Sequence, residues 1–504
     1  MKLRVILFNQ HWFHLCAAAE AIVSESNRFD EVEVIFARKG LKLWPLDLHY
    51  VNFITLLSRY SPEYKLYKYL EESLLNKSII VTFSNLAIKG KIKANWNLNV
   101  SELSMNFSEL RKFRVSDQPV GMAISSYLIS RTRSSYPRVE RYRNLIKKAY
   151  VSYFQIQDAL LARGLHSKTD EIWLCNGRQI HERSVVEFCK ANNIAYKFFE
   201  VGGDGSKLTR WILHSYSPHD RVEFQKEIMS HFSTKTEDYG VEIDNWFLRN
   251  RNPKSNQFTN NQVVGKSLGK SDSYVVFFTS SDDEVAAISE DWDSPWGSQI
   301  EAAESLIDSF KTRIGNKLII RVHPNILNKN RYDQRLWSEL QVNTNVIVVS
   351  ADSDIDSYTL LDNSKGVLTF GSTMGVESVF LGKPLGLLSH ARYDEIVENT
   401  FLPTRDQLTH WLDAAFQGAL VKPSATGARM WAYYFLTAGR QWRVTEIKQF
   451  KGRKIGFLNG RRLRPNSVLV VAARIVGRFR SLTFEQSGEF LYWRFRSQTQ
   501  HKGD

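Results

Sequence analysis

Small and polar side chains follow an apolar run in the stretch LTFGSTMGVESVFLGKPLGLL, residues 368–388. Gly371, Ser372, Thr373 and Gly375 would expose backbone N–H groups and hydroxyls at the end of a buried strand, which is an arrangement that binds phosphate. Glu377 lies just beyond them, and its carboxylate suits the two hydroxyls of a ribose. The stretch therefore predicts a nucleotide site. The plainer alternative is a helix start with Thr373 as N-cap and Glu377 in the first turn.

Two further strand ends carry groups that suit phosphate. The segment IIRVHPN places Arg321 and His323 after an apolar run, and Pro324 stiffens the loop around the imidazole. The segment FFTSSDDE places Ser280 and Ser281 in the same way. Because the carboxyl ends of parallel strands meet at one edge of a sheet, we expect these loops to line one cleft. A strand-end histidine with a purely structural role is the alternative.

Candidate catalytic groups lie earlier in the chain. The segment YKFFEVGGDGSK contains Glu200 and Asp204, and a carboxylate in a cleft can deprotonate an acceptor hydroxyl or attack an anomeric carbon. Glu200 is favoured because it follows a strand directly, whereas an Asp in a tight glycine turn can simply be a cap. In FNQHWFHL, His11 is a candidate base and His14 a candidate acceptor contact, although a loop histidine packed beside Trp12 fits equally well.

The segment CNGRQ predicts a further acceptor contact. Asn176 and Arg178 follow a strand, and the guanidinium suits an acceptor carboxylate or phosphate. A surface arginine is the alternative. Asp352 and Asp354 form the only close match to a DxD metal motif, and they are better explained as a loop and a helix cap. We therefore expect no essential metal and no cofactor, because the histidine, the hydroxyls and the helix dipole can hold the phosphate.

The elements that must position these residues alternate between strand and helix patterns. Apolar strand patterns such as LRVILF and EVEVIFA precede amphipathic helices in the first half, and YVVFFTSS to PLGLL repeat the arrangement in the second. This alternation predicts an α/β protein with two Rossmann-like domains facing across a cleft. The expected boundaries are residues 1–250 for an acceptor-binding domain, 251–272 for a polar linker, 273–415 for a donor-binding domain and 416–504 for a basic aromatic tail.

Composition and charge narrow the setting. The chain has 504 residues and three cysteines, so we expect a reducing compartment and no disulfide framework. Polar residues interrupt the apolar start, so we do not expect export. The formal net charge is +14, and residues 429–504 contribute +12 of it.

The basic tail carries two amphipathic stripes. One comprises Trp431, Tyr434, Phe435, Ala438 and Trp442, and the other comprises Val468, Val471, Ala472, Ile475 and Phe479. Basic amphipathic segments with interfacial tryptophans suit an anionic membrane surface. The alternative is that the stripes pack on the donor-binding domain. No nucleic-acid motif is present in the sequence, so we expect no nucleic-acid partner.

These motifs resemble the GT-B glycosyltransferases, and among them the bacterial capsule and surface-polysaccharide synthesis proteins. The resemblance covers roughly residues 170–400 and rests on NGR, FFEVGG, TSSDDE, RVHPN and the segment DSYTLLDNSKGVLTFGSTMGVESVFLGKPL. It implies a nucleotide-sugar donor bound by the second domain and an acceptor bound mainly by the first.

A narrower resemblance concerns transferases that use CMP-sugars, namely bacterial sialyltransferases and Kdo transferases. Asp204-Gly205, His323-Pro324 and Ser372-Thr373 match their motifs. The resemblance implies that the acidic residue is catalytic and that His and Ser hold the donor phosphate. Gly203 stands where a second acid often stands in that family, and Glu200 can take its role.

The expected function is that of a cytoplasmic glycosyltransferase, peripheral on the inner face of the bacterial inner membrane. It would transfer a sugar, with CMP-Kdo or a related CMP-sugar as the implied donor, to a lipid-linked, lipopolysaccharide or capsule glycan. Two alternatives stay open. One is a nucleotide-sugar epimerase or glycerophosphotransferase on the same fold, and the other is a non-catalytic polysaccharide assembly protein.

Overall fold

The computed structural model describes residues 1–8, 12–36, 62–86, 105–203, 210–235, 237–254, 256, 258–269, 273–397, 400–450 and 453–463. The elements of the first half are β1 (Lys2–Leu7), α1 (Trp12–Glu25), β2 (Glu31–Phe36), α2 (Pro62–Leu74), β3 (Ile80–Asn85), α3 (Phe107–Lys112), α4 (Val120–Thr132), α5 (Arg143–Leu161), β4 (Asp170–Cys175), α6 (Ile180–Ala191), β5 (Ala195–Gly202) and β6 (Arg210–His214).

The elements of the second half are α7 (Arg221–Ser233), α8 (Gly240–Asn250), β7 (Ser273–Phe278), α9 (Gln299–Ser309), β8 (Asn316–Arg321), α10 (Arg331–Ser338), β9 (Val346–Val349), α11 (Ser357–Asn363), β10 (Val367–Thr369), α12 (Met374–Phe380), β11 (Leu385–Leu387), α13 (Arg405–Gln417), α14 (Thr426–Thr437), β12 (Arg440–Gln441), β13 (Thr445–Phe450), β14 (Arg453–Leu458) and β15 (Arg461–Arg462).

The first sheet has seven strands in the order β12-β6-β5-β4-β1-β2-β3. Strands β1 to β5 run parallel, and β6 and β12 are added antiparallel at one edge. Its central strands are apolar on both faces, as a sheet covered by helices on both sides requires. Leu3 and Val5 of β1 pack in a core with α1, whereas Ile6 packs in a second core with α5 and α6.

The second sheet has five parallel strands in the order β11-β10-β7-β8-β9. Alternate residues of β7 again face two cores: Tyr274 and Val276 lie in one, and Val275 and Phe277 lie in the other. The predicted α/β architecture of two Rossmann-like domains is therefore confirmed. The five strand patterns from YVVFFTSS to PLGLL all form strands.

The predicted division at residue 250 differs from the packing. Helices α7 and α8 contribute Phe224, Ile228, Ile243 and Phe247 to a core of the second sheet, so the chain passes from one domain to the other soon after β6 ends. We call residues 1–214 with 440–463 the first domain, and residues 221–437 the second. The boundary was misplaced because these helices carry ordinary amphipathic patterns, which do not identify the sheet they cover.

The first stripe of the predicted basic tail is protein core. Trp431 and Tyr434 on α14 are 5% and 3% exposed and pack against Phe224 and Tyr393. The chain then returns to the first domain, where β12 pairs with β6. The membrane prediction for this stripe is therefore wrong, whereas the second stripe, residues 468–479, lies outside the described residues. No helix within the described ranges is long and apolar enough to cross a bilayer.

One carboxylate joins the two places where the chain crosses between domains. Glu227 on α7 lies 3.0 Å from Nδ1 of His214, accepts a hydrogen bond from Tyr216, and accepts another from Tyr434 on α14 at 2.7 Å. Burial alone would raise the pKa of Glu227, but these donors lower it to about 2. The ionised carboxylate therefore stabilises the contact between the segment that follows β6 and helices α7 and α14.

We expect Glu227→Gln to lower the free energy of unfolding at pH 7 by roughly 2–3 kcal/mol, on the scale of the shift in pKa. Because the folded pKa lies below the unfolded value, the wild-type advantage is present above about pH 4.5 and narrows as the pH falls toward 2. Urea unfolding at pH 7 and pH 3 measures both effects. Glu223→Gln, on the exposed face of the same helix, is the control, and equal losses in both variants would refute the role of Glu227.

Candidate functional site

The loops predicted to bind the donor follow three neighbouring strands of the second sheet. β7 lies between β10 and β8, and all three run parallel. Their carboxyl ends therefore place Ser280 and Ser281, His323, and residues 371–373 along one edge. The hydroxyl of Ser280 donates to the carbonyl of Phe370 at 2.8 Å, so the loops after β7 and β10 are in direct contact.

His323 is held in one tautomer. Its ring Nδ1 accepts a hydrogen bond from the backbone N–H of Asn325 at 3.1 Å. The backbone N–H of His323 donates to Oγ1 of Thr279 at 2.7 Å. Because Nδ1 is an acceptor, the ring proton lies on Nε2. Burial, with a smaller contribution from Lys329, lowers the pKa of His323 to about 4. At neutral pH the side chain is therefore an uncharged hydrogen-bond donor, which suits a phosphate oxygen.

A chain of side-chain contacts connects the β7 and β8 loops. Asn325 donates to Oγ of Ser281 at 2.6 Å, and that hydroxyl donates to Asp283 at 2.8 Å. Lys329 forms an ion pair with the same carboxylate. These contacts fix the backbone around His323.

The Gly-Ser-Thr loop after β10 needs its first glycine. Gly371 has φ of +82°, and a Cβ there would lie 3.0 Å from the carbonyl oxygen of His390. Ser372 is 7% exposed and Thr373 is exposed. Thr373 occupies the N-cap position of α12, but its side chain makes no capping hydrogen bond. The helix therefore begins where the plainer alternative placed it, with Glu377 in its first turn, but without a side-chain cap from Thr373.

Two predicted donor contacts have partners within the second domain, and their donor roles stay predictions. The guanidinium of Arg321 is buried and turns toward the loop after β9, where it donates to Ser357 at 3.2 Å and to the carbonyl of Ser353 at 3.2 Å. Gly375 lies under Tyr393, whose hydroxyl oxygen would be 2.3 Å from an added Cβ. Both were predicted from position alone, and packing gives each residue another partner.

Glu377 is also occupied within the second domain. Its Oε2 accepts a hydrogen bond from the hydroxyl of Tyr358 at 2.7 Å, and the residue is 7% exposed. Burial raises the pKa of Glu377 to about 7, so a protonated fraction persists at neutral pH. The predicted ribose contact would have to use the remaining oxygen.

The first domain places Glu200 beside the loop after β4. Asn176 and Gly177 in this loop have φ of +61° and +76°, and a Cβ at Gly177 would lie 2.3 Å from the ring of Phe198. Oε1 of Glu200 is buried and has no hydrogen-bond partner among the described residues. Burial raises the pKa of Glu200, and the Asn176 side chain partly offsets the rise.

The same loop contacts the second domain. Arg178 donates to the carbonyl of Asp283, so the loop that carries Asn176 meets the loop that carries Ser281. Tyr136, between α4 and α5, donates to the buried carboxylate of Asp282. Sites predicted separately in the two halves of the sequence therefore meet at one junction, although the acceptor roles of Asn176 and Arg178 stay predictions.

The junction is tightly closed beside His323. Ser134 donates to Asp333 on α10 at 2.6 Å, and the N–H of Ser135 donates to the same carboxylate at 2.7 Å. The remaining cavity is about 20 Å³, room for roughly one water molecule, and is lined by Tyr136, Ser281, Asp282, His323 and Lys329 among others.

The remaining predicted site residues are less informative. His14 lies on α1, with its ring 4.3 Å from that of Phe13. His11 and Asp204 lie outside the described residues. Within the described ranges no cluster of three or more His, Cys, Asp or Glu side chains has metal-binding geometry. The expectation of no essential metal stays a prediction.

Sequence reasoning missed side chains that reach the junction from outside the strand-end loops. Tyr136, Asp333 and Arg392 reach the junction from positions without any recognisable motif. His219 lies in SPHDR, which also begins a helix: Asp220 caps α7 by accepting the N–H of Glu223 at 3.0 Å. A helix-start pattern therefore concealed a partly buried histidine at the site.

Comparison with known proteins identifies the part of the chain that contains most of these loops. The family model described as "Capsule polysaccharide biosynthesis protein" matches residues 219–396, about a third of the chain. Residues 219–396 match the capsule polysaccharide biosynthesis family. This confirms the resemblance to capsule synthesis proteins over most of the second domain, including the β7, β8 and β10 loops. No curated protein matches the chain.

Solved structures give distant likenesses. The β-Kdo 2,4-transferase of KpsC from Thermosulfurimonas dismutans has a TM-score of 0.35 and 14% identity, over 52% of this chain and 78% of that one. A UDP-GlcNAc 2-epimerase from Methanocaldococcus jannaschii has a TM-score of 0.30 and 12% identity, over 85% and 97%. HepE from Anabaena, solved with UDP and glucose, has a TM-score of 0.26 and 14% identity, over 86% and 95%.

The buried Glu377 gives a pH prediction. Its folded pKa, about 7, lies above the unfolded value, so its contribution to stability is largest below about pH 4.5 and is lost as the pH rises through 7. We expect the wild-type free energy of unfolding to fall by roughly 3 kcal/mol more than that of Glu377→Gln between pH 4.5 and pH 8. Urea unfolding across this range tests it, with the exposed Glu304→Gln as control. Parallel pH profiles in wild type and Glu377→Gln would contradict it.

Proposed function

We propose that the protein is a glycosyltransferase of capsule or related surface-polysaccharide synthesis, which moves a sugar from a nucleotide-sugar donor to a glycan or glycolipid acceptor. The observation that carries the proposal is the Glu200 carboxyl. Its Oε1 is buried without a partner in the described part of the chain, at the junction of the two strand-end edges. A buried oxygen left unpaired costs about 1–3 kcal/mol, and an acceptor hydroxyl would supply the missing donor.

The proposed step uses Glu200 as a general base. The acceptor oxygen forms a bond to the anomeric carbon, the bond from that carbon to the donor phosphate breaks, and the hydroxyl proton passes to Glu200. Burial raises the pKa of this carboxyl, which makes its ionised form a stronger base than an exposed glutamate. Asp204, four residues further along the chain, is the alternative carboxylate.

The donor phosphate is assigned to the β7, β8 and β10 loops. The Nε2–H of His323 and the hydroxyl of Ser372 are donors at the ends of β8 and β10, the two strands that flank β7. A neutral histidine is favoured here because it donates without needing a proton from solvent. A CMP-sugar such as CMP-Kdo is the proposed donor, and this finer assignment rests on the His323-Pro324 and Ser372-Thr373 motifs.

Donor entry requires the junction to open. The cavity beside His323 is about 20 Å³, whereas sites for ligands of this size occupy roughly 300 Å³ or more. The segment that carries Ser134 and Tyr136 closes this edge through Asp333 and Asp282. We propose that these contacts separate when the donor binds.

Two substitutions should affect different measurements, one the turnover and the other the nucleotide affinity. Glu200→Gln keeps the shape but removes the charge, so we expect turnover to fall by about 100- to 10,000-fold with nucleotide affinity nearly unchanged. His323→Ala removes a donor to a charged phosphate, so we expect nucleotide affinity to fall roughly 10- to 100-fold. A thermal-shift panel of CMP, CDP, UDP and GDP selects the nucleotide for calorimetry, and release of nucleotide from the matching sugar donor measures turnover.

The control is Glu187→Gln on α6, a partly buried glutamate paired with Lys190. It should leave both measurements unchanged. Parental turnover in Glu200→Gln would refute the general base, and parental nucleotide affinity in His323→Ala would refute the phosphate assignment. Binding of UDP in preference to CMP would overturn the CMP-sugar assignment alone.

We further propose a peripheral location on the inner face of the inner membrane, through residues 464–504. This segment has seven Lys and Arg against three Asp and Glu and contains the second amphipathic stripe. We expect truncation after Leu463 to leave nucleotide affinity intact and to abolish sedimentation with vesicles containing anionic phosphatidylglycerol. Vesicles of neutral phosphatidylcholine are the control, and truncated protein that still sediments with anionic vesicles would show that the anchor lies elsewhere.

A further inference from the structure

A partly buried histidine lies in the segment that crosses from the first domain to the second. His219 follows β6 and precedes α7 by two residues. Its ring Nε2 lies 2.9 Å from Oδ1 of Asn176, in the loop after β4. The crossing segment therefore reaches back to the loop beside Glu200.

The second domain holds this segment by its backbone. The indole N–H of Trp292 donates to the carbonyl of His219 at 3.2 Å, and Arg392 donates to the carbonyl of Pro218. Arg392 also lies over the ring of Phe224, with its guanidinium carbon 4.3 Å from the ring centroid. The position of His219 is consequently fixed by contacts from the second domain.

The protonation of the ring follows from its partners. Asn176 Oδ1 can only accept a hydrogen bond, so Nε2 of His219 carries the proton. Burial lowers the pKa of His219 well below its usual value, and the neighbouring cations Arg392, Arg178 and Arg183 lower it further, as does His214. The ring is therefore a neutral Nε2–H donor.

That hydrogen bond sets the direction of the Asn176 amide. With Oδ1 directed at His219, the NH₂ group is the end of the amide left for the Glu200 carboxyl, and the Asn176 side chain lowers the pKa of that carboxyl against the effect of burial. His214 and Arg392 also lower the pKa of the same carboxyl. The left-handed backbone at Asn176, followed by Gly177 packed on Phe198, restricts the loop to this conformation.

We infer that His219 is a positioning residue, which orients the Glu200 carboxyl through Asn176 and makes that orientation depend on closure of the second domain. The inference rests on the proposed role of Glu200. It assigns His219 no contact with substrate. Opening of the domains would release Trp292 and Arg392 from the crossing segment, free the Asn176 amide, and leave the carboxyl without its fixed donor.

The test compares His219→Leu with His219→Gln. Glutamine places an amide N–H near the position of Nε2 and can still donate to Asn176, whereas leucine fills the space without a donor. The primary readout is the pKa of Glu200, followed by ¹³C NMR of glutamate-labelled full-length protein, with Glu200→Gln used to assign the signal. We expect the pKa to rise by about one unit in His219→Leu, the scale of one lost charge-assisted hydrogen bond, and to stay near the wild-type value in His219→Gln.

The second readout is turnover of the sugar donor chosen by the nucleotide panel. We expect roughly a 10-fold or greater loss of kcat in His219→Leu with little change in KM for the donor, and recovery in His219→Gln. The inference would be overturned if folded His219→Leu showed the wild-type pKa of Glu200. Equal losses of turnover in His219→Leu and His219→Gln would also overturn it. Loss of turnover in Glu200→Gln alone would then leave the proposed function standing, whereas full activity of Glu200→Gln would refute both.

Discussion

The geometry of the site depends on the carboxylate of Glu227. It accepts a hydrogen bond from Tyr216, in the segment between β6 and α7 that leads into the second domain. It accepts another from Tyr434 on α14, the helix that precedes the return of the chain to the first domain. These contacts hold together the segments through which the chain passes between two sheets that share no strand. Because the catalytic and donor-binding candidates lie on strand-end loops of different sheets, their approach depends on contacts between the domains as well as on either sheet. An ionised group is effective here because each donor is stronger toward a charge than toward a neutral oxygen.

Desolvation gives the groups at the junction their chemical character. Burial raises the pKa of Asp282 and Glu377 to about 7 and lowers that of His323 to about 4. At neutral pH His323 is therefore uncharged, whereas Asp282 and Glu377 are partly protonated.

Much of the fold could be predicted, because apolar runs bounded by Gly, Ser and Pro identify buried parallel strands. The same patterns located Ser280, His323 and Ser372 at neighbouring strand ends. Partners contributed by distant segments were not predictable: nothing in the local sequence of Tyr136 or His219 indicates Asp282 or Asn176. The stripe around Trp431 was misassigned because an amphipathic period shows that a face is apolar and leaves open what covers it. The contacts of Arg321 were not predictable because a strand-end position does not fix the direction of a long side chain.

The return of the chain to the first domain has a consequence for how the protein is made. Glu20, buried on α1, accepts the backbone N–H groups of Arg443, Val444 and Thr445, and β12 completes the first sheet beside β6. The β6 edge of the first domain and its buried carboxylate therefore gain these partners only after residues 440–445 have been synthesised. Nascent chains that stop short of residue 443 would expose an unpaired strand edge. During most of its synthesis the polypeptide therefore presents a strand edge to which a chaperone can bind.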